Sequence, residues 1–200
     1  MVRHGVFIAI YAINNVGKST QATMLKNVLL ARHYKHVEYF KFPLYDLEPT
    51  GPLINEYLRK GNPHGFTPRE FQLLNVQNKL EGAVLVRDAL SRGDIVIAED
   101  YVGTGIAWGV GAGVNKELLV RLNQGLPKPD LAILLDGERR LGAREVGHKH
   151  EQDDELTNKV RQAHLELATE EGWKVVDANG SIEDVHDRVW GVVAKHLHIV

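Results

Sequence analysis

Ala12-Ile13-Asn14-Asn15-Val16-Gly17-Lys18-Ser19-Thr20 stands between an apolar run, Val6 to Tyr11, and a stretch of helical pattern that begins near Lys18. It matches the phosphate-loop pattern G-x-x-x-x-G-K-[ST], with Ala12 in the place of the first glycine. The residue types follow from what holding a triphosphate requires. Successive backbone N–H groups of such a loop turn inward to form an anion cradle, and the N-terminus of the next helix adds partial positive charge. Asn15, Val16, Gly17 and Thr20 supply this cradle, with Gly17 allowing the backbone close to the phosphates. Lys18 reaches the β and γ oxygens as a point charge, and the Ser19 hydroxyl ligates Mg²⁺. The strand-loop-helix context makes ATP the expected ligand. A positive φ at Ala12 would strain the loop by roughly 1 kcal/mol.

Working outward, further apolar runs recur at Val37 to Phe42, Ile95 to Glu99, Leu131 to Leu135 and Trp173 to Val176, each followed by helical pattern. Runs apolar on both faces, such as Ala132 to Leu135, suit a parallel sheet covered on both sides, so the reading is α/β with a P-loop-type five-stranded parallel sheet flanked by helices. The segment Arg69 to Arg92 reads as one amphipathic helix whose core stripe is Leu73, Val76, Leu80 and Val84. Gln72, Asn75 and Lys79 share its opposite face, which looks either into a cleft or into solvent. Trp173 and Trp190 are expected in the core or at a subunit interface.

Residues 1–200 read as a single domain, because no connection is long enough to be a linker and no repeat interrupts the pattern. The segment 137–154 is rich in charge and histidine and reads as a flap over the sheet. Its His148-x-His150 pair lacks a third ligand at metal-site spacing; His150 is a candidate for phosphate or base contact. Glu99 and Asp100 end the third strand, where open α/β sheets place ligands, and are candidates for catalysis, with Glu99 also a metal candidate.

Composition narrows the class. The 44% apolar and 25% charged content is that of a soluble globular chain. Twenty-four Lys+Arg against 26 Asp+Glu give a net charge of −2, without the basic excess of a general nucleic-acid binder. The absence of cysteine excludes disulfides and thiol catalysis and favours an intracellular compartment. No stretch approaches the roughly 20 apolar residues of a membrane span, and no cleavage-site pattern follows the N-terminus. The expectation is a cytoplasmic protein acting on neither membrane nor nucleic acid.

Several local patterns together resemble the thymidylate kinase family, within the nucleoside monophosphate kinases. They are Gly17-Lys18-Ser19-Thr20-Gln21; Phe42-Pro43 followed by Thr50, Gly51, Ile54 and Tyr57-Leu58; Glu99-Asp100-Tyr101 with Thr104-Gly105-x-Ala107; Gly125-Leu126-Pro127-Lys128-Pro129-Asp130-Leu131; and Trp173 through Ala178 with Ser181-Ile182-Glu183. The resemblance spans Phe7 to Val193 and implies direct transfer of the ATP γ-phosphoryl group to dTMP, Mg²⁺ as cofactor, and a homodimer. It further implies that Lys18 and Ser19 meet the donor phosphates, that Arg144 and Lys149 of the flap close on the transferring group, and that Lys79 meets a pyrimidine carbonyl. Thr104 would bind the base edge, Trp108 would close on base or sugar beside Phe42, and Asn179 would lie beside the adenine.

Four positions depart from the family pattern around the acceptor. Asp100 replaces the arginine of D-R-Y, Lys41 replaces the arginine before Phe-Pro, Asn14 replaces an aspartate that meets the sugar hydroxyl, and Asn75 replaces a phenylalanine that stacks on thymine. At about 4 Å and an effective dielectric near 20, reversing one charge changes an interaction by several kcal/mol, so Asp100 weighs heavily. Three accounts stay open: an altered acceptor, whether another monophosphate or a deoxynucleoside; loss of catalysis in a nucleotide-binding relative; or a second Mg²⁺ held by Asp100 with Glu99.

Overall fold

The computed structural model describes residues 5–139 and 153–199. The apolar runs form β1 (Val6–Tyr11), β2 (Val37–Lys41), β3 (Ile95–Glu99), β4 (Leu131–Asp136) and β5 (Lys174–Asp177). They pair in the order β2-β3-β1-β4-β5, every ladder parallel. The helices are α1 (Lys18–Ala31), α2 (Thr50–Arg59), α3 (Pro68–Ser91), α4 (Val102–Gly111), α5 (Lys116–Leu122), α6 (Asp154–Glu171) and α7 (Ile182–His196).

Both faces of β1 are covered, which is why its sequence is apolar without alternation. Ile8 and Ile10 pack with Leu25 and Leu29 of α1 and with Val189 and Val193 of α7. Phe7 and Ala9 pack on the other face with Ala83, Val86 and Ala89 of α3. Each large side chain buried this way contributes on the order of 2 kcal/mol. Trp173 stacks 4.4 Å from Tyr11, and Trp190 packs against the α1–α7 side of the core.

The register carries the site. Lys41 lies opposite Glu99 and Tyr39 opposite Ile97 on the β2–β3 ladder, while Ile10 lies opposite Glu99 on β1–β3. The carboxyl ends of β1, β2 and β3 therefore converge where the phosphate loop leaves the sheet, the crevice that ligands occupy in open α/β folds. In that loop the left-handed residues are Asn15 (φ 67°) and Gly17 (φ 107°). Ala12 has no positive φ, so the missing first glycine costs no backbone strain. Gly51 is required elsewhere: a Cβ there would lie 2.2 Å from the Tyr45 carbonyl oxygen, so only glycine lets α2 start against that backbone.

Two expectations need correction. Asp153 caps α6, its side chain accepting from Leu156 N, and Asp154 opens the helix, so residues 153 and 154 belong to α6 and not to the segment read as a flap. The core stripe expected on α3 faces outward: Leu73, Leu80 and Val84 are 43%, 39% and 55% exposed, and of that set only Val76 is buried. Gln72, Asn75 and Lys79 are the buried ones, at 4%, 8% and 2%. The helix spends its inner face on a polar cleft and on the sheet, leaving one apolar stripe uncovered.

Candidate active site

A cleft of about 460 Å³ opens at the carboxyl ends of the strands, walled by the phosphate loop, β2 and its exit, α2, α3 and α4. At its donor end the Lys18 ammonium donates to the carbonyls of Ala12 at 3.1 Å and Ile13 at 3.0 Å, and stands 3.5 Å from Asp100 Oδ1. Lys18 is thus folded back over its own loop. Ser19 Oγ donates to Glu99 Oε1 at 2.8 Å and accepts from Lys41 Nζ at 2.9 Å. Lys41 Nζ lies 3.1 Å from the same Glu99 Oε1, while the Tyr39 hydroxyl donates to Glu99 Oε2. Burial pushes the Glu99 carboxyl up, but Lys18 and Lys41, with the hydrogen bonds from Tyr39 and Ser19, outweigh it and hold the group below the usual carboxylate range. For Lys41 burial acts downward, and the attraction of Glu99 carries its pKa above the ordinary lysine value.

Ser19 and Glu99 supply hard oxygen donors next to one another, the chemistry Mg²⁺ takes. No group of three or more His, Cys, Asp or Glu gathers into a metal cage among the described residues.

Beside Lys18, Asp100 turns the chain with φ 58°, and its Oδ1 accepts from Thr104 Oγ1 at 3.0 Å. Burial raises the Asp100 carboxyl by more than Lys18 lowers it. The Thr104 proton is committed to Asp100, which leaves its hydroxyl an acceptor on the cleft it lines. Asn75 Nδ2 donates to the Phe71 carbonyl at 2.9 Å and Lys79 Nζ to the Asn75 carbonyl at 3.3 Å. Burial drives the Lys79 pKa down to about 8, with Asp100 acting weakly the other way. Gly105 of α4 makes room for it: a Cβ there would lie 3.1 Å from Nζ. Asn14 lines the cleft as well. Phe42 and Trp108 are both buried core residues that also line the cleft.

The phosphate loop also borders a second cavity of about 950 Å³ through Ile13, with Asp136, Arg161, Asp177 and Asn179. Here Arg161 grips Asp136 through two bonds of 2.6 and 2.8 Å. The Asn179 side chain accepts from Glu138 N at 3.0 Å and donates to Asp177 Oδ1 at 2.8 Å. It shapes the turn, leaving little of the amide for a nucleotide. Val16 buries its side chain in the core and offers the cradle backbone alone, whereas Asn15, Gly17 and Thr20 line the cleft. Arg144, Lys149, His148 and His150 lie outside the described residues.

A family model described as thymidylate kinase matches residues 13–189. The chain belongs to the thymidylate kinase family. Among thymidylate kinase relatives, a probable thymidylate kinase of Pyrobaculum aerophilum is 35% identical over 185 residues, covering 90% of this chain and 91% of the relative. The thymidylate kinase of Homo sapiens is 30% identical over 193 residues, covering 94% and 89%. The solved thymidylate kinase of Candida albicans superposes with a TM-score of 0.83 at 26% identity, over 98% of this chain and 94% of that one. As a thymidylate kinase family member the chain is a phosphotransferase whose reaction is the phosphorylation of dTMP by ATP.

Two residues of the site were missed in the thymidylate kinase-like motifs. Tyr39, which holds Glu99 rather than lining the cleft, stands two positions before Lys41 on the same strand face, a period-2 signal. Arg59 directly follows the Tyr57-Leu58 pair and lines the cleft, its guanidinium 4.8 Å over the Tyr45 ring.

Proposed function

We propose that the 460 Å³ cleft is the dTMP site and that the chain passes the ATP γ-phosphoryl group directly to the dTMP phosphate, giving ADP and dTDP. The observation that carries this reading is a single cleft with Lys18 and Ser19 at one end and the buried polar face of Gln72, Asn75 and Lys79 at the other. The acceptor phosphate is largely ionised at neutral pH, because its second pKa lies near 6. Its oxygen therefore attacks phosphorus without a protein base, the bond between the γ phosphorus and its bridging oxygen breaks, and ADP leaves with the electron pair. The work left to the protein is positioning and charge neutralisation.

Lys18 exchanges its bonds to the Ala12 and Ile13 carbonyls for the donor phosphates. Asn15, Val16, Gly17 and Thr20 complete the cradle, and Asn179 borders the donor side. Ser19 and Glu99 would hold Mg²⁺, which would supply neutralisation of phosphate charge. Lys41 and Arg59 serve the acceptor phosphate, Asn14 the sugar, and Lys79, Asn75 and Thr104 the base, between Phe42 and Trp108. Arg144, Lys149 and His150 are assigned to the transferring group and the base by resemblance alone. The chain acts as one cytoplasmic domain; no helix among the described residues is long and apolar enough to cross a membrane. It pairs as a homodimer, a reading supported by the uncovered stripe of α3.

Asp100 favours a second reading, in which the acceptor is a nucleoside hydroxyl. A carboxylate repels a monophosphate but can take the proton of a hydroxyl. One panel tests both: coupled turnover with ATP and Mg²⁺ on dTMP, other nucleoside monophosphates and thymidine. Turnover of dTMP, lost on the order of 10³-fold in Lys18→Met, is the expected result. Turnover of thymidine alone would establish the second reading, and ATP binding with no turnover on any acceptor would overturn both.

A further inference from the structure

Lys41 closes a triangle with Ser19 and Glu99. Its ammonium is 2.9 Å from Ser19 Oγ and 3.1 Å from Glu99 Oε1, and those two oxygens are 2.8 Å apart. They are also the pair assigned above to the metal. An ammonium and a divalent cation cannot share them, since Mg²⁺ approaches oxygen to 2.0–2.1 Å and the two positive charges repel. We propose that Lys41 is a shared cation: it occupies the metal locus when the donor is absent, and arrival of Mg²⁺·ATP releases it to the acceptor phosphate, so that donor and acceptor bind cooperatively. This rests on the acceptor assignment made under the proposed function.

The surroundings allow such an exchange. Lys41 is the last residue of β2, its side chain is 52% exposed, and it lines the cleft. Its four-carbon stem lets the charge move without moving the strand. Glu99 does not follow it, because the Tyr39 hydroxyl holds the other carboxylate oxygen from a neighbouring position on the same strand face. The metal ligands therefore stay in place while their occupant changes. Asp100 is the second carboxylate acting on Lys41; it accepts from Thr104 and competes with the acceptor phosphate for the freed charge, which keeps the coupling modest.

The test is calorimetric and involves no turnover. Binding of dTMP to the full chain is measured alone, with a non-hydrolysable ATP analogue and Mg²⁺, and with the analogue in EDTA. The expected result is affinity for dTMP about five- to twenty-fold higher with analogue and Mg²⁺ than without, the same factor appearing reciprocally in analogue affinity, and no gain in EDTA. Lys41→Met, at a half-exposed position, abolishes the gain and binds the Mg²⁺·analogue more tightly than the parent; Lys41→Arg retains the gain. The proposal is overturned if the parent binds dTMP equally with and without the Mg²⁺·analogue, or if Lys41→Met keeps the full gain. Absence of dTMP binding under every condition would overturn the acceptor assignment and the coupling with it.

Discussion

Asp100 stands 3.5 Å from the Lys18 ammonium in a cleft that has to take up phosphate. Its charge faces Lys18 and, under the proposed function, would repel the acceptor phosphate. Removing that charge while keeping an acceptor for Thr104 is the informative change: Asp100→Asn lowers the KM for dTMP about tenfold, since a charge at about 6 Å with an effective dielectric near 20 is worth at most roughly 3 kcal/mol. Initial rates decide it, and a fall in kcat with unchanged KM would instead mark Asp100 as a base or metal ligand. Lys79 yields a pH prediction. The charged form is the stronger donor to the ligand, and burial sets its pKa near about 8, so kcat/KM for dTMP declines as pH rises through that value in the free enzyme. For stability the sign is opposite to that of a paired lysine. The folded pKa, about 8, lies below the ordinary lysine value of 10.5, so the penalty is complete below pH 8 and fades as pH climbs toward 10.5. Lys79→Met therefore stabilises the empty protein at pH 7 by about 3 kcal/mol while weakening dTMP binding, as urea unfolding beside calorimetry will show.

At the scale of elements the sequence was most legible where local rules suffice. The strand-loop-helix around Lys18 needed only the glycine, lysine and hydroxyl spacing, and α3 was located to within one residue at each end. Its start is a capping box, with Thr67 accepting from Glu70 N and the Glu70 carboxylate accepting from Thr67 N. Thr67→Ala should cost about 1 kcal/mol in urea unfolding and leave kcat alone. What periodicity could not tell was which way α3 faces. A stripe of Leu73, Leu80 and Val84 looks the same in sequence whether it meets its own sheet or something beyond the chain, and the polar face, open in sequence to either cleft or solvent, is the cleft wall. The Tyr39–Glu99 bond was illegible for another reason: its partners are 60 residues apart and meet only through the β2–β3 register. Asp100 was visible as a departure, but its pairing with Lys18 appears only when β1 and β3 lie side by side.

For the whole molecule, the outward stripe of α3 is the natural seam of the proposed homodimer. Val84→Asp combined with Leu80→Asp places two charges on it and should turn a dimer into a monomer in sedimentation, with the single-chain fold kept by circular dichroism. The phosphate loop borders two cavities, so donor and acceptor ends are held by one short segment that the sheet fixes from below. The buried ammonium of Lys79 has a further consequence. Without nucleotide, the charge in the interior is offset only by the Asn75 carbonyl and the field of Asp100; with it, the charge meets a further oxygen, and folding is favoured by mass action. Thermal unfolding should move upward by several degrees with saturating dTMP, and the gain should shrink in Lys79→Met. Protease attack follows the fraction of opened chains, so a molecule starved of nucleotide is digested sooner than one kept supplied, and the size of the nucleotide pool sets the lifetime of its own kinase.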